Sequence, residues 1–198
     1  MTRRHTHMLQ RNAGYTLVEM LITVSIFALA FVTIGAIFIG FTAAQSRATT
    51  AQRLLNEGGF ILEAVTREIR INAIDYACTA ANPVTNHAYL CLKSLDGRSV
   101  HFRFNNFSGS GVVQSCVDYD DAPCTLANQW VDMNPSTLRI TKFEFHTYPT
   151  SNPHNANQGS SQVFQPITTM VMSIEAGTGR AMQRYDLQTA ASSRVYSF

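Results

Sequence analysis

Arg11-Asn12-Ala13-Gly14-Tyr15-Thr16-Leu17-Val18-Glu19-Met20 sets one glycine and one carboxylate at the mouth of a long apolar run. From Tyr15 to Phe41 the 27 residues carry a single charged side chain, Glu19. At a helical rise of about 1.5 Å per residue the run reaches roughly 40 Å, more than the roughly 30 Å of a bilayer's hydrocarbon core. A carboxylate inside such a run costs about 2.5–3.5 kcal/mol on insertion scales, which calls for a functional partner. Cleavage after Gly14 would supply one, the freed amine of Tyr15. Arg3, Arg4 and Arg11 precede the span and the next basic residue is Arg47. By the positive-inside rule the start of the chain stays in the cytoplasm and the body goes outward.

A basic leader, Gly14, an aromatic at Tyr15, Thr16-Leu17-Val18, Glu19 and then an unbroken apolar helix resemble the class III signal of type IV pilins and type II secretion pseudopilins. The resemblance implies that a membrane-embedded prepilin peptidase cuts after Gly14 and methylates the amine of Tyr15. It also implies that Glu19 pairs with the terminal amine of a neighbouring subunit during filament assembly. Tyr15 stands where phenylalanine is usual. Where major pilins often bend the helix with a proline this chain has Ala36, beside Gly35 and Gly40, which soften a helix more weakly. Two other readings compete. A conventional secretory signal could end at Thr42-Ala43-Ala44, but its apolar core should be about 7–15 residues, well short of this one. An uncut signal anchor accounts for the length and leaves Glu19 unexplained.

Of 198 residues, 15 are Lys or Arg and 13 are Asp or Glu. Loss of residues 1–14 would remove three arginines and no acid, leaving 12 basic against 13 acidic residues, so bulk charge does not favour nucleic-acid binding. The chain beyond the span suits one domain with a real core. The expected division is a cleaved leader at 1–14, an N-terminal helix at 15–74 (transmembrane over 15–41, amphipathic over 42–74) and a β-rich head at 75–198.

After Phe41 the sequence turns amphipathic: Leu54, Leu55, Phe60, Ile61, Leu62, Val65, Ile69 and Ile71 recur at helical spacing with Glu63, Arg67, Glu68 and Arg70 between them. This predicts one helix to about Ile74, with Gly58-Gly59 as a soft spot. From Ala88 the period becomes two. Tyr89–Leu95, the turn Asp96-Gly97 and Arg98–Asn106 predict a hairpin in which Val100, Phe102 and Phe104 face one way and His101, Arg103 and Asn105 the other. Further strands are predicted at Val112–Asp118, Thr137–Tyr148, Pro166–Glu175 and Ala181–Ala190, with a bulge near Thr141-Lys142 where the parity flips. The fold class is α+β, a long N-terminal helix packed on an antiparallel meander, the lollipop that the pilin resemblance implies. Leu62–Arg70 and Leu187–Arg194 further resemble minor pilins of the W type and J-type pseudopilins.

Cys78, Cys91, Cys116 and Cys124 all lie in the part expected to be exported, where an even count favours disulfides. Three connectivities are open; sequential pairing, Cys78 with Cys91 and Cys116 with Cys124, closes the shortest loops. A reduced, buried Cys91 is the alternative for a residue inside a strand. Zinc is disfavoured, since no Cys-x-x-Cys exists and the nearest histidine, His87, falls in loop sequence. Asp118-Tyr119-Asp120-Asp121 lacks the spacing and glycine of a calcium loop and reads as a solvated acidic turn. Pro149 to Gln165, rich in Asn, Ser and Gln, reads as an exposed loop. His101 and His146 read as satisfied surface or half-buried residues, and Trp130 as packing.

No nucleophile and base, phosphate loop or carboxylate pair points to an enzyme, and no cofactor is expected. The reading is a structural subunit of the inner membrane, single-pass with its head outside the cytoplasm: a minor type IV pilin, or else a type II secretion pseudopilin. Its implied partners are prepilin peptidase, other pilins or pseudopilins, the assembly platform and the bilayer. A reading of another class is a pilus-borne adhesin or DNA-binding module, with Arg98, Arg103 and Arg139 the first residues to test, although their scatter suits solvated strand faces.

Overall fold

The computed structural model describes residues 14–81, 87–106, 111–118, 124, 127–153, 165–177 and 182–195. The elements run α1 (Leu17–Ile71), β1 (Ala73–Ile74), α2 (Tyr76–Ala81), β2 (Tyr89–Lys93), β3 (Ser99–Asn105), β4 (Val112–Asp118), a 3-10 turn at Ala127–Gln129, β5 (Val131–Asp132), β6 (Arg139–Tyr148), β7 (Ile167–Ala176) and β8 (Gln183–Ser192). This is an α+β layout, a long N-terminal helix followed by antiparallel sheets. The chain forms two compact units, Met1–Ser46 and Arg47–Phe198.

In the first unit the apolar side chains of α1 from Leu17 to Phe41 are exposed. Helix α1 is the one element among the described residues that is long and apolar enough to cross a membrane. Its hydroxyls are satisfied within the helix: Thr23 donates to the carbonyls of Glu19 and Met20, Ser25 to that of Leu21, Thr33 to that of Ala30 and Thr42 to that of Ile39. A hydroxyl bonded to its own helix needs no water, which suits it to an apolar solvent.

In the second unit Leu54, Ile61, Leu62, Val65 and Ile69 form the buried stripe of α1 and enter one core with residues of both sheets. The first sheet has the order β1-β2-β3-β4-β5 and the second β6-β7-β8, all antiparallel. The single meander expected from the sequence is thus two sheets. They adjoin where the Gly111 amide donates to the Ile140 carbonyl at 3.1 Å and the Phe145 amide to the His87 carbonyl at 2.8 Å. The hairpin and the later strands stand within a few residues of their expected bounds, and the β6 register shifts between Ile140 and Lys142 as the parity change predicts.

Two expectations for α1 need correction. The helix stops at Ile71, not Ile74, because Ala73 and Ile74 pair with Lys93 and Leu92 of β2. The Asn72 amide still donates to the Glu68 carbonyl, while the Ser193 hydroxyl donates to the Asn72 carbonyl at 2.7 Å and the Arg194 amide to the Arg70 carbonyl. Leu62–Arg70 and Leu187–Arg194, far apart in sequence, therefore meet at the end of α1. Nor does α1 break at Gly58-Gly59: the helix runs through it, and Gly58 is buried against side chains of β7 and β8. A Cβ there would lie 2.8 Å from a methyl of Leu187, 3.0 Å from one of Ile174 and 3.1 Å from the Met172 methyl, whereas Gly59 faces open space.

The two glycines should respond oppositely. Gly58→Leu should lower the stability of the head by about 1–3 kcal/mol through overpacking. Gly59→Ala should raise it by about 0.5–1 kcal/mol through helix propensity. Denaturant melts of the two variants check this; equal effects would remove the close-packing role of Gly58.

Candidate functional site

Gly14 and Tyr15 are exposed and precede the first turn of α1. Thr16 is its N-cap: the Thr16 hydroxyl accepts the Glu19 amide at 3.3 Å, and the Thr16 carbonyl accepts the Met20 amide at 3.2 Å. Thr16-Leu17-Val18-Glu19 has the spacing of a capping box, in which the glutamate would reach back to the amide of the cap. Here only half is made. The Glu19 carboxylate has no hydrogen bond or ion pair among the described residues, and it lies in the first turn, where the helix dipole favours negative charge. This cap was readable in the sequence from Thr-x-x-Glu and was missed there.

A second cluster lies on the face of β2, β3 and β4 turned away from the main core. It holds Tyr89, Cys91, Cys116, Cys124 and Trp130, with Cys78 packed against it. Disulfides join Cys78 to Cys91 and Cys116 to Cys124, and no described cysteine is free. Helix α2 presents Cys78 to β2. The Asp75 carboxylate accepts the Cys78 amide at 2.9 Å, the Asp75 amide donates to the Cys91 carbonyl, and the Thr79 hydroxyl accepts the Cys91 amide.

Val100 and Phe102 face the main core as expected, and the opposite face of β3 is covered rather than solvated. His101 is 3 % exposed, with Nδ1 at 3.2 Å from Tyr89 Oη and 3.8 Å from Cys78 Sγ. Its Nε2 has no hydrogen-bond partner among the described residues. Arg103 is likewise no free strand-face cation: its guanidinium lies 3.8 Å from the centroid of Trp130 and donates to Gln114 Oε1. Trp130 Nε1 donates to the Cys124 carbonyl. Arg98 lies in the turn before β3, and Arg139 opens β6 in the other sheet. His146 is exposed, bonds Glu144 and stacks on His87 at 4.7 Å between ring centroids. Asp118 ends β4, while Tyr119, Asp120 and Asp121 lie outside the described residues, as does most of the loop from Pro149 to Gln165.

The model of the prokaryotic N-terminal methylation motif matches residues 9–35, a span that takes in Gly14, Tyr15 and Glu19. That motif at the head of a long apolar helix indicates the type IV pilin/pseudopilin family. The family is structural, and its motif implies processing by prepilin peptidase and assembly with other pilins. The apolar half of α1 is consistent with membrane anchoring. Neither the curated proteins nor the solved structures compared with the chain include a match.

Burial holds the His101 imidazole below its usual range, against the opposing pull of Asp118 and Asp75. The unfolded chain takes up a proton on this ring near about pH 6.5, the folded chain only at lower pH. The neutral ring's contribution is therefore complete above that value and declines as pH falls through it. The denaturant midpoint of the head should drop between about pH 7.5 and pH 5, and His101→Gln should flatten that decline. An unchanged slope in the variant would exclude His101 as its source.

Proposed function

We propose that this protein is a minor type IV pilin, cleaved after Gly14, methylated on the amine of Tyr15 and joined to its neighbours through Glu19. The observation that carries the reading is the half-made capping box. Thr16 alone serves the helix end, so the Glu19 carboxylate is left for another amine. Inside an apolar layer an unpaired carboxylate is costly, and a neighbour's terminal ammonium compensates it with a charge-assisted hydrogen bond. Such a pair fixes axial register, because one stagger between helices brings the two groups together. The chain divides into a leader at 1–14, a helix whose 15–41 portion spans the inner membrane, and a head held outside the cytoplasm. The head has no catalytic task in this reading.

In native membranes the terminal peptide should begin at Tyr15 and carry an added methyl group by mass spectrometry. A terminus at Gln45 or an intact Met1 would reject the assignment. Glu19→Ala should leave leader removal and membrane insertion intact and reduce crosslinking to partner pilins about tenfold or more, the order expected from losing one buried charge-assisted pair. Wild-type crosslinking by the variant would show that the carboxylate does not mediate assembly. Copurification with a retractile pilus, rather than with a secretion apparatus, separates the minor pilin from the pseudopilin.

A further inference from the structure

Beneath α2 the ligand atoms of Cys78, Cys91 and His101 all lie within 4.8 Å of one another. The two sulfurs are joined in the Cys78–Cys91 disulfide, and once that bond is reduced two thiolates and one imidazole nitrogen make a donor set for a borderline-soft cation. With bonds of about 2.3 Å to sulfur and 2.0–2.1 Å to nitrogen, a tetrahedral zinc ion holds a sulfur and a nitrogen ligand about 3.5 Å apart. Cys78 Sγ and His101 Nδ1 already stand at 3.8 Å. His101 is fixed on β3 opposite Cys91, its partner in the β2–β3 register, so backbone pairing rather than side-chain mobility holds the imidazole beside the sulfur pair. Tyr89 Oη, 3.2 Å from Nδ1, is the one described group that must give way on that side.

We propose that before Cys78 and Cys91 are oxidised these two thiolates and His101 bind one zinc ion, and that disulfide formation expels it. In the reduced chain zinc displaces the two thiol protons, forming two Zn–S bonds and one Zn–N bond, with water in the fourth position. Oxidation by an external disulfide reverses the binding. The two thiolates pass two electrons to that disulfide, the Cys78–Cys91 bond forms, the oxidant leaves as two thiolates and zinc is released to solvent. The same pocket is thus held together first by a metal and later by a covalent bond. On the reading proposed above, the switch falls between synthesis on the reducing side and residence on the oxidising side of the membrane.

The test uses the full chain in detergent with Cys116→Ser and Cys124→Ser, so that Cys78 and Cys91 are the only thiols. A phosphine reduces the disulfide, with water supplying two protons to the sulfurs and oxygen to the phosphine, and cobalt(II) serves as the probe. Binding of one equivalent with a thiolate-to-cobalt charge-transfer band and strong tetrahedral visible absorption is expected, reversed by zinc. The unreduced protein should give neither band. His101→Asn, shown by circular dichroism to fold in its oxidised form, should lose more than the roughly 10–100-fold in affinity that an outer-shell partner usually contributes. Absence of the bands in the reduced protein, whether it stays folded or unfolds without recovery on adding metal, overturns the proposal. So do equal bands in the unreduced protein or an unchanged affinity in His101→Asn. None of these outcomes depends on Glu19 or on filament assembly, so the pilin reading stands or falls separately.

Discussion

The structure depends on where the backbone amides and carbonyls of an apolar sequence can find partners. From Leu17 to Phe41 the side chains are apolar apart from Glu19, Thr23, Ser25 and Thr33, and in a hydrocarbon layer the backbone must satisfy itself, which leaves the helix as the conformation for a single segment. Thr23, Ser25, Thr33 and Thr42 obey the same rule by bonding carbonyls of their own helix. Further along α1 the constraint changes. From Leu54 to Ile69 one apolar stripe is buried under other elements, while Leu55 and Phe60 stay exposed. The sheets supply that cover with Leu90, Phe102, Phe143, Met172 and their neighbours, and Gly58 leaves room for Met172, Ile174 and Leu187.

The first sheet answers a second constraint. One face packs on α1; the other would be open to solvent over β2, β3 and β4. A short helix, two disulfides and Trp130 close it into a small separate core. That core is too small to be held by apolar area alone, and covalent links compensate, each contributing about 2–4 kcal/mol. It also explains why His101 and Arg103 sit where a strand's polar face was expected. The imidazole is enclosed beside Tyr89 and Cys78, and the guanidinium covers the indole of Trp130.

What could be read in the sequence follows the range of the forces involved. The apolar run, the Asp96-Gly97 hairpin and the β6 bulge are set by neighbours a few residues apart, and periodicity carries them. The end of α1 is set by β2 instead: Ile74 fits the helical repeat but pairs with Leu92, and the choice is made by a strand that begins at Tyr89. The division into two sheets, the burial of His101 and the close approach at Gly58 are likewise long-range facts that no local pattern encodes. At the N-terminus the opposite holds. The methylation motif that takes in Gly14, Tyr15 and Glu19 is a local pattern, and so is the Thr-x-x-Glu of the Thr16 cap.

The first turn of α1 joins these constraints to function. A helix N-terminus carries a partial positive charge, and a terminal ammonium on Tyr15 would place a second positive charge beside it. Glu19, in that turn, offsets part of this field, and its carboxylate makes no bond to the cap amide among the described residues. A processed subunit would then present both a donor and an acceptor at one end of an apolar helix, where water does not compete for either. Like ends of two such helices complement each other only when they are staggered, amine against carboxylate. On the function proposed above, a single carboxylate that is costly in isolation would thereby make association directional, which apolar packing between smooth helices does not achieve by itself.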